Sequence, residues 1–456
     1  MLMAIKKENI IKFILAITIL LIPFTDLPLG TLFGELSSTA VFYWLIFVLG
    51  IWIFNFVIAR NYKFYYSRHI STYYLLFFIV IILFSIIFNI NDIYTNSFAG
   101  RSSFNRVTTQ LSVLLFSVFF SLCLYNLLYK INLDLFFTRK YILFSFLLAG
   151  MYSLLELFYY LNILQLESIW DFFDSFLHVE IVRAGKLRSV TMEPSFLGMY
   201  LSFVTPWLLS YLLTSTRYKI IPIFLSLYLL LLTVLTFSRT AYFIIAFEFF
   251  LFIFFYWREI IKDKKLLYNL GLAICCIAIL IAAFIPADLY VFSIGEQVIM
   301  SFFSNESIFQ ASNVSRFGIM VSAFKMFLVY PLFGVGIGQF AFYFQEFLPT
   351  WAVNTEILDW LNGYAWVPIF NIYARLLAET GILGLSIWSL LWFSVLSKLY
   401  SLYKKNRDVL ILVLFISLLG VLLSGFNIDS FRNFSLWLVL ALFWKLEDLY
   451  KERGLI

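Results

Sequence analysis

Charged residues are scarce in this 456-residue sequence, in which Asp, Glu, Lys and Arg together make up 13%. Soluble domains carry about 25% charged residues, whereas 63% of this chain is apolar and 21% is aromatic. A chain with so few polar groups needs lipid to cover most of its surface. The composition therefore excludes a soluble enzyme, a nucleic-acid-binding protein or a disordered linker as a description of the whole chain, and it predicts an integral membrane protein.

Cysteine and histidine are also rare, with three and two residues respectively. Cys123, Cys275 and Cys276 all fall in apolar runs, and the sequence has no CxxC motif and no Cys/His cluster with metal-ligand spacing. This pattern favours neither a disulfide framework nor a zinc or other metal site. The net charge of +6 comes from small groups of Lys and Arg between apolar runs. That arrangement is typical of membrane orientation and indicates no DNA-binding face.

Long apolar segments account for most of the chain. A helix of roughly 20 such residues crosses a hydrocarbon core of about 30 Å, so the sequence predicts an all-α polytopic membrane protein with about twelve transmembrane helices. The segments lie near residues 10–29, 39–58, 71–90, 107–129, 141–163, 196–213, 219–237, 240–257, 266–286, 371–397, 408–425 and 433–447. The first has no small-x-small cleavage site after it, so we expect a retained anchor rather than a signal peptide.

The positions of Lys and Arg indicate how these helices are oriented. With a cytoplasmic N-terminus, roughly two-thirds of the basic residues fall in cytoplasmic loops, as the positive-inside rule requires. An odd number of spans would remove this asymmetry. We therefore expect a multi-pass protein with both termini in the cytoplasm.

Two long loops are predicted on the outer side of the membrane. A loop as long as the second is improbable without structure unless it has a function. Within it, residues 317–330 are predicted to form an amphipathic helix that begins after Asn313 and ends before Pro331. We expect a cap of interfacial helices on the outer surface. The predicted units are transmembrane helices 1–163, the outer loop 164–195, transmembrane helices 196–286, the large outer loop 287–370, and transmembrane helices with a cytoplasmic tail at 371–456.

One charged motif precedes the sixth apolar segment. Lys186, Arg188 and Glu193 converge on the N-terminus of this helix, where free N–H groups and the helix dipole favour an anion. The spacing fits an anion-binding entry segment. It fits equally a solvated loop in which Glu193 caps the helix.

Two further motifs place charge where lipid makes it costly. Arg239 lies in a short turn between two apolar segments. An ionisable residue at such a place indicates a functional site. The alternative is an arginine whose side chain extends to the lipid headgroups. Asn371, Arg375 and Glu379 are spaced four apart and share one helical face. Such a face is costly in lipid unless it points into a polar cavity. An internal Arg375–Glu379 pair that stabilises the bundle is the alternative.

A glycine-rich stretch follows the predicted cap helix that carries Arg316. Gly334, Gly336 and Gly338 lack the spacing of a dinucleotide fingerprint, and no Lys-Ser or Lys-Thr follows them. We interpret these glycines as positions where the backbone turns tightly near the bilayer.

The order of these motifs carries a resemblance. It consists of Glu193-Pro-Ser, Ser238-Arg239, the Arg316 helix that runs into Pro-Leu-Phe-Gly-Val-Gly-Ile-Gly338, and Asn371 followed by Ala-Glu-Thr-Gly-Ile-Leu-Gly384. Over about residues 180–390 the chain resembles the bacterial O-antigen polymerase and ligase superfamily. The resemblance implies a glycosyltransferase without metal or cofactor, at the outer face of the inner (cytoplasmic) membrane. Its substrates would be undecaprenyl-diphosphate-linked oligosaccharides, its product a surface polysaccharide of unspecified kind, and its protein partner a chain-length regulator.

Position 370 separates the two branches of that superfamily. Ligases resemble one another in carrying a histidine immediately before the asparagine of the tenth-segment motif, where this chain has Phe370. Its two histidines, His69 and His178, lie elsewhere. We therefore favour a polymerase of lipid-linked repeat units. A ligase-type glycan transferase and a lipid-linked oligosaccharide transporter or flippase are the alternatives.

The leaving group of the implied reaction is undecaprenyl diphosphate. No Asp-x-Asp pair in the outer loops offers to hold a metal ion against it, whereas the planar fork of arginine matches phosphate oxygens. We expect Arg239 and Arg316 to bind the diphosphate, and Arg188 and Arg375 are further candidates.

The acceptor sugar hydroxyl needs a group that takes its proton. Glu193 is the first candidate because it lies beside the arginine-rich entry segment. His178 and Glu379 are the other candidates for this catalytic role.

Overall fold

The structure is a computed structural model that describes residues 2–29, 34–59, 64–131, 135–161, 167–179, 185–214, 220–262 and 307–454. Within these ranges the chain forms sixteen α-helices and a two-stranded antiparallel hairpin. The helices are α1 (Leu2–Leu21), α2 (Ala40–Ala59), α3 (Ile70–Phe88), α4 (Ile90–Thr95), α5 (Ser103–Tyr129), α6 (Leu135–Tyr160), α7 (Glu167–Leu177), α8 (Pro194–Thr214), α9 (Ile220–Leu235), α10 (Arg239–Lys262), α11 (Ser307–Val329), α12 (Phe340–Phe347), α13 (Thr355–Leu361), α14 (Ile372–Asn406), α15 (Val409–Ser424) and α16 (Phe434–Glu452). The hairpin pairs β1 (Ser97–Phe98) with β2 (Arg101–Ser102).

The helices confirm the predicted all-α polytopic membrane fold. Among the described residues, six helices are long and apolar enough to cross a membrane, namely α3, α5, α6, α8, α14 and the Arg239–Tyr256 part of α10. Shorter apolar helices lie within α2, α9 and α15. Eleven of the twelve predicted segments overlap a helix, although α1 ends at Leu21 and thus eight residues before the end of the predicted segment 10–29. The remaining segment, 266–286, lies outside the described residues. The total of twelve spans stays a prediction.

The centre of the bundle is formed by helices that are apolar on every side. In α16, all residues from Phe434 to Leu446 are buried, including Trp437 and Trp444. Such a helix is surrounded by protein rather than exposed on one face. Around it, α5 packs on α16, α8 packs on α10 and α15, and α3 packs on α14. The N-termini of α8 and α10 carry two of the predicted site residues, Glu193 and Arg239.

A glycine-rich loop, residues 331–338, packs into a kink in α14. Gly381 has φ of +64° and interrupts the helix. The N–H groups of Val335 and Gly336 each donate to a carbonyl oxygen of α14 at 3.0 Å. A Cβ atom at Gly334 would collide with the backbone of α14. These glycines therefore serve a close backbone contact, in agreement with the interpretation from the sequence.

The predicted cap helix is present as α11, but its start differs from the prediction. It begins at Ser307 and not after Asn313. Asn313 lies within the helix and accepts a hydrogen bond from Arg239, so a residue type that favours helix N-caps serves a long-range contact here. Below α11 a second hydrophobic cluster forms from α12 and α13, with Phe344 and Trp360 buried in it.

The first of the two predicted outer loops contains the amphipathic helix α7. Its inward side chains are Trp170, which stacks on Tyr159 at 4.2 Å between ring centroids, and Asp174. Its outward face is apolar and consists of Ile169, Phe172, Phe173 and Phe176. This distribution is typical of a helix that lies in the membrane interface.

Candidate active site

Glu193 lies immediately before α8. Its backbone carbonyl accepts hydrogen bonds from the N–H groups of Phe196 at 3.0 Å and Leu197 at 3.2 Å. The main chain of Glu193 therefore accepts the first hydrogen bonds of the helix. Its side chain is accessible. Desolvation by the neighbouring segments raises the pKa of Glu193, although the charges of Arg432 and Arg316 act in the opposite direction. An accessible carboxylate with a raised pKa is suited to take a proton.

Arg239 is the first residue of α10. Ser238 precedes the helix and caps it, since its hydroxyl accepts a hydrogen bond from the N–H of Ala241 at 3.4 Å. From this position the guanidinium of Arg239 donates through Nη2 to Oδ1 of Asn313 in α11, at 2.5 Å. The turn therefore directs Arg239 toward the helix that carries Arg316.

A close helix contact brings the start of α10 near the start of α8. A Cβ atom built on Gly198 would lie 2.6 Å from Cβ of Ala241, which is too close for two real side chains. The two helices approach this closely because position 198 is glycine. As a result, Glu193 and Ser238, which immediately precede α8 and α10, lie at the starts of two adjacent helices.

Arg316 lies in α11 and joins this region from the cap. Its Nη1 donates to Oδ1 of Asn427 at 2.6 Å, in the loop between α15 and α16. The guanidinium lies 4.5 Å from the ring centroid of Phe370. The charges that act on Arg316 are those of Glu356, which has the largest effect, and of Arg239 and Glu193. Three of the predicted residues therefore share one region, here called the outer site: Glu193, Arg239 and Arg316, with Phe370 beneath the last.

Arg432 belongs to the outer site although no motif predicted it. It is 5% exposed and lies just before α16. Its guanidinium lies 5.1 Å from the ring centroid of Phe196, and its charge acts on the Glu193 carboxyl. The available sequence signal was weak: a basic residue on the outer side, where the positive-inside rule does not favour one.

Arg375 and Glu379 lie in a separate, buried network within α14. Nε of Arg375 donates to Oε2 of Glu379 at 2.9 Å. The other two nitrogens donate to the backbone oxygen of Asp429 and to Oε1 of Gln110, both at 2.6 Å. Every nitrogen of the guanidinium therefore has a protein acceptor. This is the geometry of the internal pair that was the alternative interpretation of the motif.

The network extends to Glu35. Gln110 donates to Oε1 of Glu35 at 2.9 Å, and Nη1 of Arg106 lies 3.2 Å from the same oxygen. Burial by itself would raise the pKa of Glu35, but the charges of Arg106, Arg432 and Arg375 lower it to about 2. Arg432 also donates to the backbone oxygen of Glu35 at 3.0 Å, so the buried network and the outer site meet at this residue.

Arg188 and His178 lie in a third group, around Asp174 of α7. Nδ1 of His178 lies 2.7 Å from Oδ1 of Asp174, and Nη2 of Arg188 lies 3.2 Å from Oδ2. The side chains of His178 and Asp174 are inaccessible. Burial alone would raise the pKa of Asp174, but the hydrogen bonds from His178 and Tyr152 and the charges of His178 and Arg188 lower it. The structure does not bring His178 or Arg188 to the outer site.

This third group fixes the loop that leads to Glu193. The carboxylate of Glu156 in α6 accepts hydrogen bonds from the backbone N–H groups of Arg188 at 3.2 Å and Ser189 at 2.8 Å. Ser189 has φ of +54°, a conformation that is costly for a residue with a side chain and is held by these contacts. Glu156 of α6 and the Arg188–Asp174 pair therefore set the path of the chain before Glu193.

Comparison with known families agrees with this arrangement. Residues 224–389 match the family model described as O-antigen ligase. The matched region contains Arg239, Arg316, Arg375 and Glu379, and Glu193 precedes it. No curated protein matches the chain. Over these residues the match supports the resemblance to the O-antigen polymerase and ligase superfamily, and it does not distinguish between the two branches.

Proposed function

We propose that this protein polymerises undecaprenyl-diphosphate-linked oligosaccharide repeat units into a surface polysaccharide at the outer face of the bacterial cytoplasmic membrane. The family match and the membrane fold support membrane glycan processing in general. The observation that carries the finer proposal is the outer site, where Glu193, Arg239 and Arg316 come together on three different elements.

In the proposed reaction, a hydroxyl oxygen of one repeat unit forms a bond with the anomeric carbon of the growing chain. The bond between that carbon and the diphosphate oxygen breaks, and undecaprenyl diphosphate leaves with the bonding electrons. Arg239 and Arg316 offset the negative charge on the leaving group, since their planar guanidinium groups bind phosphate oxygens in pairs. No metal ion is required in this scheme.

Glu193 takes the proton of the attacking hydroxyl. Its accessible carboxyl and raised pKa bring its proton affinity closer to neutral pH than that of an ordinary carboxylate. A positioned base of this kind contributes about 10²- to 10⁴-fold to a rate. The loop before α8 holds the carboxylate beside the arginines, so proton transfer and leaving-group stabilisation occur in one place.

The remaining predicted residues have supporting roles in this proposal. Arg375 and Glu379 hold the kinked part of α14 against α5 and the loop before α16. Arg188 and His178 hold the entry loop through Asp174. We assign none of these four residues to the diphosphate or to proton transfer, because their side chains are buried and form ion pairs inside the protein.

The ligase alternative rests on the description of the matched family. Against it, the position at which ligases resemble one another in having histidine is Phe370, whose ring supports Arg316. A phenyl ring cannot accept a proton. The site therefore favours the polymerase, with Glu193 in place of a histidine base.

The proposal includes the inner membrane as location, both termini in the cytoplasm, and a chain-length regulator as a partner. The orientation is supported by the distribution of Lys and Arg. The bilayer is a direct partner, because the helices expose apolar faces such as that of α7.

A strain that lacks this protein tests the proposal. If the protein is the polymerase, surface acceptors in the deletion strain carry single repeat units, because a separate ligase still transfers them. Loss of a ligase would leave acceptors without any repeat unit, and loss of a flippase would leave lipid-linked repeats on the cytoplasmic side. Either of these two results would contradict the proposal.

A further inference from the structure

Arg432 contacts the chain on both sides of Glu193. Its Nη2 lies 2.7 Å from Sδ of Met192, the residue before Glu193. Its guanidinium also lies 5.1 Å from the ring centroid of Phe196, on the first turn of α8. Through these two contacts Arg432 spans the segment at which the extended chain becomes a helix and from which the Glu193 carboxylate projects.

Arg432 is itself held by a third segment of the chain. Its Nη1 donates to the backbone oxygen of Glu35 at 3.0 Å and to the hydroxyl of Ser38 at 3.1 Å. Its own N–H donates to the Ser430 hydroxyl at 3.2 Å. Because the side chain is 5% exposed and bound by these groups, it has little freedom to move toward a substrate. This arrangement fits a residue that acts through its neighbour rather than on the lipid-linked sugar.

Among the described residues, four act on the charge of Glu193. Arg432 and Arg316 favour the ionised carboxylate, whereas Asp429 and Asp26 oppose it. Arg432 has the largest charge effect of the four, and it comes from the loop before α16. Burying a cation without polar partners is costly. For Arg432 the Glu35 carbonyl and the Ser38 hydroxyl offset this cost by accepting hydrogen bonds from its guanidinium.

We propose that Arg432 is a positioning residue that holds the segment around Glu193 in place, directs its carboxylate toward the outer site and supplies a fixed positive charge on this segment. The inference rests on the proposed function only for the role of Glu193 as base. The positioning itself is a property of the folded protein and has consequences that can be measured without substrate.

The test uses the full-length protein in lipid nanodiscs and a water-soluble carbodiimide, which reacts with protonated carboxyl groups. Labelling of Glu193 is followed by mass spectrometry as a function of pH. In Arg432→Gln the labelling midpoint should move up by about one pH unit, as expected for the loss of a neighbouring opposite charge. Arg101→Gln is the matched control, since Arg101 also lies over an aromatic ring, at 5.0 Å from Trp366, but not beside Glu193. Its midpoint should equal that of the wild type.

The polymerisation rate is measured over the same pH range, with lipid-linked repeat units extracted from a deletion strain. Its acid limb should move with the labelling midpoint in Arg432→Gln. If the labelling shifts but Glu193→Gln still polymerises, the positioning by Arg432 holds and the role of Glu193 as base is wrong. If inserted Arg432→Gln protein keeps the wild-type labelling midpoint, the inference about Arg432 is overturned.

Arg432→Lys keeps the test decisive if the glutamine variant inserts poorly. Lysine retains the charge, but its single ammonium group cannot contact Met192, Phe196 and Glu35 together. We expect kcat to fall by about 10-fold at unchanged KM, with a smaller midpoint shift than in Arg432→Gln. A lysine variant that matches the wild type in kcat and in labelling would overturn the inference.

Discussion

The guanidinium of Arg316 lies 4.5 Å from the ring centroid of Phe370, the residue that precedes α14. Phe370 has φ of +58°, which is strained for a phenylalanine. The next residue, Asn371, caps α14 by accepting hydrogen bonds from two backbone N–H groups. The cap hydrogen bonds of Asn371 hold the strained backbone that orients the phenyl ring toward the arginine. Phe370, at the position where the ligases resemble one another in having histidine, thus supports Arg316, which we propose binds the diphosphate.

Replacement of Phe370 tests this support. Phe370→Leu removes the π-face and should lower the polymerisation rate by about 2- to 5-fold, equivalent to the roughly 0.5–1 kcal/mol of an accessible cation–π contact. Phe370→Tyr keeps the aromatic face and should retain most of the activity. The measurement is the initial rate at equal amounts of inserted protein. Equal rates for the leucine and tyrosine variants would exclude a contribution of the ring to Arg316.

The two arginines of the outer site should be essential. Arg239→Ala and Arg316→Ala are expected to abolish polymer while the protein still inserts, because the leaving diphosphate then loses its counter-charge. Arg239→Lys should restore activity poorly, since an ammonium group cannot form a paired contact with phosphate oxygens. Surface polymer is measured by gel electrophoresis of the glycan, with Arg101→Ala as an arginine control from the same side. Normal polymer in both alanine variants would remove the proposed diphosphate site.

Glu193 should control the pH dependence of the reaction. The base must be ionised, so activity should be lost as the pH falls through the raised pKa of Glu193. Glu193→Gln keeps the size of the side chain but cannot take a proton, and it should lower the rate by about 10²- to 10⁴-fold and remove this acid limb. In His178→Ala and Glu379→Gln any loss of activity should follow the loss of inserted protein, since both side chains are buried in internal pairs. A Glu193→Gln variant with chains of normal length would transfer the role of base to another group.

The Arg375–Glu379 pair should stabilise the protein rather than act on substrate. Loss of one partner leaves an uncompensated buried charge, which costs about 3–5 kcal/mol. Glu379→Gln should therefore lower the thermal unfolding midpoint markedly. Glu8→Gln is the matched control because Glu8 pairs with Lys12 at the same i,i+4 spacing but in an accessible position. Such a surface pair contributes about 0.5 kcal/mol or less, and similar shifts in the two variants would contradict a structural role for the buried pair.

The sequence predicted the helices well because length and apolar composition determine which segments can cross a bilayer. The predicted site contained Glu193, Arg239 and Arg316 together with Arg188, Arg375, His178 and Glu379, and the structure brings only the first three into one region. The start of α11 was predicted wrongly, because the preference of Asn313 for helix ends is weaker than its contact with Arg239.

Other parts of the site depend on residues that are far apart in the chain. The acceptors that occupy Arg375 include Gln110 and the backbone of Asp429, neither of which follows from the helical spacing of the motif. Arg432 likewise reaches Met192 and Glu35 only in the folded protein. Periodicity and charge spacing describe one element at a time, so such contacts between elements could not be predicted from the sequence alone.

The most direct test of the central claim is polymerisation by the purified protein in nanodiscs, supplied only with undecaprenyl-diphosphate-linked repeat units and a metal chelator. The account predicts a ladder of lipid-linked products of increasing length, with one undecaprenyl diphosphate released for each added unit, and no ladder with Arg316→Ala. Absence of any ladder from the folded wild-type protein, combined with transfer of single units to an added surface acceptor, would contradict it.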